Sequence, residues 1–176
     1  MNGHCSLLTA VVMVLIQYAT AEVEHFSPHN VGAGAGFISG YGIQYRHWFP
    51  SRHGVQFSVG PYLNKSDNEE DFTISLGLNG LYIFKDSKFV NLFLYYGTHF
   101  WYGRSTLSYD PVAPGPAYDE DDNSEDYFTY FGAGPGFDIH FWRLSLNLQP
   151  GVAFRYKDNG NYGLQMSGEI SLYYSF

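Results

Sequence analysis

Tyr162–Phe176, YGLQMSGEISLYYSF, alternates in character over its whole length. One set of positions is Tyr162, Leu164, Met166, Gly168, Ile170, Leu172, Tyr174 and Phe176. The interleaved set is Gly163, Gln165, Ser167, Glu169, Ser171, Tyr173 and Ser175. Successive side chains of a strand point to opposite faces, so this stretch predicts a strand with one apolar and one polar side.

Working back from it, the same pattern recurs. Candidate strands are Asn30–Phe37, Tyr41–Phe49, Val55–Leu63, Phe72–Phe84, Phe89–Tyr102, Tyr127–Phe141 and Leu144–Tyr156. Short turn signals separate some of them: Ser39-Gly40, Pro50–Gly54, Lys85–Lys88, Trp142-Arg143 and the Asn-Gly step in Lys157–Asn161. The tracts 64–71 and 103–126 lack an apolar period and are expected to be loops. Asn30 to Trp48 also reads as one unbroken strand, which would make seven. Eight is preferred, because it puts the turns near Pro50, Lys85 and Trp142 on one side with both termini.

The totals agree with an all-β chain. Of 176 residues, 19% are aromatic, 20 are Gly and only 15% are charged, which favours strands and turns in a single domain. A net charge of −8 excludes nucleic acid as a partner, since phosphate neutralisation needs clustered Lys and Arg. Leu7–Ile16 is an apolar run followed by Ala19-Thr20-Ala21, the pattern of a secretory signal cleaved after Ala21, although MNGHCS before it has no Lys or Arg. The run is shorter than the roughly 20 residues of a spanning helix. Residues 1–21 are therefore expected to be a signal peptide and 22–176 one barrel domain. Cys5, the single cysteine, falls in the removed segment, so the mature chain can form no internal disulfide.

Alternation alone does not say which face is outside. A soluble barrel of the lipocalin kind is apolar within, and a membrane barrel is the inverse. The apolar faces after Val55 are nearly free of charge. Aromatic residues cluster at strand ends beside the short turns: Trp48, Phe49, Phe84, Phe89, Phe141, Trp142 and Phe176. A second set, Tyr62, Phe72, Tyr102, Tyr127, Tyr156 and Tyr162, flanks the longer connections. Two such girdles suit two membrane interfaces. The expected fold is an antiparallel up-and-down transmembrane β-barrel of eight strands.

The chain's end, with Phe176 last and Tyr174, Leu172 and Ile170 at alternate positions before it, resembles the C-terminal assembly signal of bacterial outer-membrane barrels. The whole mature chain resembles the small barrels of the OmpX, OmpA-domain and OmpW-like kind. That resemblance implies a bacterial outer-membrane location and, as partners, outer-membrane lipid, lipopolysaccharide and the barrel-assembly machinery, with the protein a monomer. It implies no particular activity and no cofactor.

The inward face is expected to hold Gln44, Arg46, Asn79, Asn91, His99, Asp138, His140, Asn147, Gln149, Arg155 and Glu169. An eight-stranded barrel is just wide enough for its own side chains, so these read as a buried polar network, with Arg46 and Arg155 meeting Asp138 and Glu169. Gly132, Gly134 and Gly136 leave room for the bulky Phe93, Tyr95, Trp101, Tyr130 and Tyr173. Two sharper readings compete with this bland one. A lipid A-modifying enzyme would need a His, a Ser and an acid; His25-Phe26-Ser27, His99, Asp138 and His140 are the candidates. A divalent-cation loop at Asp119, Asp121, Asn123 and Glu125 starts like a calcium loop, but Ser124 replaces the needed Gly and Tyr130 the closing Glu. The expected role is non-enzymatic: a scaffold presenting acidic outer loops for surface interaction or envelope integrity. The alternative is a conduit for small apolar molecules, which needs a lateral opening in the wall.

Overall fold

The computed structural model describes residues 28–66, 69–107, 123–157 and 160–176. The expected signal segment, His25, Ser27, Asp119 and Asp121 lie outside the described residues.

The described residues form strands and turns only. The strand segments are β1 His29–Gly36, β2 Gly40–Trp48, β3 His53–Ser66, β4 Glu69–Lys85, β5 Val90–Leu107, β6 Asn123–Phe141, β7 Leu144–Leu148, β8 Gly151–Lys157, β9 Tyr162–Ser167 and β10 Glu169–Ser175. Two pairs of segments are single staves with a local interruption. Phe137 faces Leu148 and Ala133 faces Val152, so β6 keeps one register past both β7 and β8. The break falls at Pro150, which has no N–H to give to the ladder. Likewise β9 and β10 flank Gly168, and Gln149 and Glu169 exchange backbone bonds of 3.0 Å across the gap.

Each stave is antiparallel to the next, β5 pairs with β6, and β1 pairs with β10 through Gly32 and Tyr173. The sheet therefore closes as an antiparallel barrel of eight staves, and the first-strand ambiguity resolves in favour of a turn at Phe37–Ser39. That turn needs Gly40, whose φ of +77° lies in the left-handed region.

Polarity is the reverse of a soluble core. Ile43, Leu78, Leu164 and Met166 lie on the outer surface with 56–83% exposure, whereas Gln44, Arg46, Gln56, Asp138 and Gln149 inside are at most 1% exposed. At the short-turn end, Phe49, Phe84, Phe89, Phe141, Trp142 and Phe176 are exposed aromatics, as expected of a girdle. Trp48 is a correction. It points inward with its neighbours of like parity, Arg46 and Gln44, and packs edge-on against Phe93 at 5.8 Å.

The loops are shorter than expected. β3 and β4 continue to Ser66 and Glu69, β5 to Leu107, and β6 starts at Asn123. Backbone pairing such as Arg104 with Glu125 carries on beyond the apolar band, because ladder bonds do not require apolar side chains.

Stave heights differ, and this shapes the long-connection end. β1 and β2 have 8 and 9 residues, whereas β4, β5 and β6 have 17, 18 and 19. β1 stops opposite Glu169, so β9 has β8 as its one strand partner among the described residues. β2 accompanies β3 only as far as Val59, and Gly60–Ser66 pair with β4 alone. The wall is notched above the β1–β2 turn, between β9 and the outer half of β3. Two missing staves at strand spacing leave roughly 14 Å between the flanking strands.

Candidate functional site

The lumen has two levels, separated by the β1–β2 turn. Below it lies the polar centre. Alternation on β2, β3, β6 and β10 sends Arg46, Gln56, Asp138 and Glu169 inward. Arg46 Nη1 donates to both Asp138 carboxylate oxygens at 2.9 and 2.8 Å, and its Nε and Nη2 donate to Gln56 Oε1 at 3.3 and 2.8 Å. The guanidinium lies 4.2 Å from the Tyr173 ring centroid. Asn147 Nδ2 donates to Asp138 at 2.6 Å. Glu169 Oε1 accepts from Gln44, Gln56 and Ser171 at 3.3, 3.0 and 2.7 Å. A charge buried this deeply is tolerated only when paired and hydrogen-bonded, and Arg46 meets both conditions. The Trp48 and Phe93 ring centroids lie 5.6 and 5.4 Å from the guanidinium, and a Cβ on Gly136 would come within 2.2 Å of the Phe93 ring.

Towards the short-turn end this centre forms the inner wall of a 910 Å³ vestibule lined by Arg46, Asp138, His140, Lys88 and Arg143, among others. His140 Nε2 is 2.7 Å from Asn91 Nδ2. In its acceptor tautomer it takes that amide hydrogen.

Above the centre, the β1–β2 turn folds into the lumen. Ile38 and Ser39 are buried there, and Gly132 has no Cβ because one would meet Ile38 Cδ1 at 2.4 Å. Ser58 donates to the Ser39 carbonyl. His99 Nδ1 lies 3.0 Å from the Phe37 carbonyl. A carbonyl only accepts, so Nδ1 carries the hydrogen, and Nε2 is left to accept the Ser75 hydroxyl at 2.9 Å. Ser75 Oγ in turn accepts from Tyr41 N–H at 3.0 Å.

Ser75 and His99 thus have the spacing of a nucleophile and its base, with a carbonyl orienting the ring. Space decides against that use. Ser75 is completely buried, and a Cβ on Gly40 would sit 2.6 Å from its Oγ. A reacting carbon needs a position about 3 Å from the nucleophile, and the turn occupies it. The pair acts as a latch that holds the turn.

Over the latch is a second cavity of about 480 Å³, lined by Ala35, Gly36, Phe37, Tyr41, His99, Trp101, Phe128, Tyr130 and Gly168. His99 and Tyr130 stack with ring centroids 5.5 Å apart, and Trp101 and Phe128 are 5.1 Å apart.

Of the residues singled out from sequence, Arg46, Asp138 and Glu169 come together, with His140 beside them. His99 belongs to the upper level. Arg155 is a correction: it meets neither carboxylate, lying 5.8 Å over the Phe128 ring in the outer half of its stave, where it is exposed. Arg155 is far along the strand from the network, and parity alone does not report height. Asn123 and Glu125 open β6 rather than a loop, and among the described residues no three His, Cys, Asp or Glu cluster to hold a metal. Ile170, Leu172, Tyr174 and Phe176 face outward on the closing stave. Ser75, Gln56 and the tucked turn were missed, since no local motif marks them.

No protein-family model matches the chain, and no curated protein matches it. Among solved structures it is similar to a major outer membrane protein from Thermus thermophilus, with a TM-score of 0.53 at 18% identity, covering 84% of this chain and 98% of that one. The N-terminal β-barrel domain of Pseudomonas aeruginosa OprF gives 0.44 at 14% identity, covering 84% and 95%. Ail, the attachment invasion locus protein of Yersinia pestis, gives 0.43 at 14%, covering 84% and 96%. The first of these likenesses shows a shared fold, the closed eight-stranded barrel.

Proposed function

We propose that this chain is a bacterial outer-membrane protein whose barrel is a non-conducting, non-enzymatic scaffold, with its long-connection end at the cell surface. The observation that carries this reading is the inverted polarity. A continuous apolar outer surface, with Leu78, Leu164 and Met166 among its most exposed side chains, wraps a polar interior centred on the Arg46–Asp138 pair. In water such a surface would drive association. In lipid it costs nothing, and the β5–β6 and β1–β10 pairings close the sheet so that no edge is left free over the height of β1 and β2.

The apolar run Leu7–Ile16 with Ala19-Thr20-Ala21 after it, and the outward apolar face of the closing stave, favour export followed by outer-membrane assembly. Lipid, lipopolysaccharide and the assembly machinery are the partners this reading entails, and a monomer is its simplest form. The Arg46–Asp138 centre and the inward turn obstruct the lumen at two levels, which argues against a pore. The sealed Ser75 argues against acyl transfer. What remains free to act is the outer rim: strands that project past the apolar band and the acidic tract between β5 and β6, suited to surface contacts or envelope integrity.

Two measurements test this. Cell fractionation should recover the protein with the outer membrane, in a form that migrates differently on a gel before and after boiling. Planar-bilayer recording should give no large, stable conductance steps. Recovery in the soluble periplasmic fraction would overturn the location, and stable steps would overturn the obstructed lumen. The conduit reading draws on the apolar upper cavity and the notch, but that cavity ends on the latched turn.

A further inference from the structure

The upper cavity crosses the barrel wall. His99, Trp101, Phe128 and Tyr130 belong to the inward faces of β5 and β6, whereas Ala35 and Gly168 belong to the outward faces of β1 and the β9–β10 stave. One space is lined by both sets because the wall is notched there: β1 ends at Gly36, and β9 has no strand partner on that side among the described residues. Gly168 has nothing within 4 Å of where a Cβ would stand, so the mouth is open at this point. The side chains flanking it on β9, Leu164 and Met166, are apolar and face outward, 75% and 83% exposed. A way in therefore leads from the apolar surroundings of the barrel.

From these features we infer that the upper cavity is a blind binding site for one acyl chain of a bilayer lipid, entered sideways through the notch. The walls are aromatic and the size fits. A volume of 480 Å³ falls within the roughly 300–1,000 Å³ of small-molecule sites. At the ~30 Å³ that one water occupies in the liquid, and a methylene group being of similar size, it takes a chain of about sixteen carbons. The latch closes the bottom: Phe37 is held by His99, Ser39 by Ser58, and Ile38 fills the place opposite Gly132. A chain leaving lipid gains little by the hydrophobic effect, so shape and ring contacts must hold it, as they do between helices in membranes. Selectivity for chain length follows, because the latched turn stops a longer chain.

The inference rests on the barrel lying in a membrane, and its test reports on the two separately. The Trp142→Phe protein is folded into phosphatidylcholine vesicles. This removes the exposed tryptophan at the short-turn rim and keeps Trp101 in the cavity, with buried Trp48 below the latch as an unquenched reference. Heat-modifiable migration first establishes insertion. Hexadecanoic acid brominated at its terminal carbon is then titrated, and tryptophan fluorescence is read. The expected result is saturable quenching of the Trp101 part of the emission, with apparent affinity reduced at least tenfold when Gly168→Phe closes the mouth. Docosanoic acid brominated at its end should quench less than the shorter chain. An inserted barrel with only linear, non-saturating quenching, or quenching unchanged by Gly168→Phe, overturns the site alone. A protein that does not insert overturns both. If Gly168→Phe fails to insert, Ala35→Leu serves as the replacement and lowers the quenching; quenching unchanged by Ala35→Leu overturns the site.

Discussion

Replacing Asp138 by Ala removes the carboxylate that neutralises the most deeply buried cation of the barrel. The side chain takes both Arg46 contacts, at 2.9 and 2.8 Å, and the 2.6 Å bond from Asn147. Arg46 would keep Gln56 and the face of Tyr173, but no directly bonded anion. Breaking a buried pair from one side costs about 3–5 kcal/mol, because the stranded charge remains in a low-dielectric site. The residual bonds to Gln56 put the expected loss towards the lower end of that range. With a urea slope near 2 kcal/mol/M, a loss of ~3 kcal/mol lowers the midpoint by about 1.5 M. The assay is equilibrium unfolding from lipid vesicles, followed by tryptophan emission. The Arg46→Met, Asp138→Leu double variant should be less damaged than Asp138→Ala, since an apolar pair leaves no charge behind. A midpoint change worth under ~1 kcal/mol for Asp138→Ala, or a double variant as damaged as the two single losses added, would refute the claim that this pair closes the lumen as a dry, coupled unit.

Other perturbations probe the rest of the architecture. His99→Ala removes the donor to the part-buried Phe37 carbonyl, so stability should fall by about 1 kcal/mol, with faster protease cleavage at the β1–β2 turn as the readout. Gly132→Leu should be more damaging, because its Cβ already collides with Ile38; delayed folding into vesicles, read by heat-modifiable migration, checks this. Phe176→Ser should reduce the folded fraction in cells while leaving spontaneous folding into short-chain lipid nearly unchanged, since the ring is 61% exposed and stacks on His29 at the rim.

Much of this was legible in the chain, for a specific reason. Period-two alternation reports side, so the inward Arg46, Asp138, Glu169 and Asn147 and the outward Ile170, Leu172 and Tyr174 were assigned correctly from parity. Alternation does not report height, and Arg155 shows the consequence: it has the right parity and the wrong level. Trp48 was grouped with girdle aromatics by its place at a strand end, although its parity with Arg46 already put it inside. The Ser75–His99 contact joins β4 to β5 across the register pair of Ser75 with Trp101, a diagonal that only the pairing frame reveals. The inward turn was the least readable feature. Phe37-Ile38-Ser39 looks like an ordinary hairpin tip, and only the shortness of β1 and β2, together with Gly132 opposite Ile38, makes room for it inside.

The central claim is that the apolar face of each stave meets lipid, and a nitroxide scan along β4 tests it most directly. With Cys5 replaced, single cysteines from Ile74 to Leu81 are labelled in the vesicle-inserted protein, and collision with oxygen is compared with collision with an aqueous nickel complex. The account predicts a period-two pattern, with Ile74, Leu76 and Leu78 accessible to oxygen and shielded from nickel, and Ser75, Gly77 and Asn79 shielded from both. Nickel access at Leu76 and Leu78 equal to that of a water-exposed turn would contradict it.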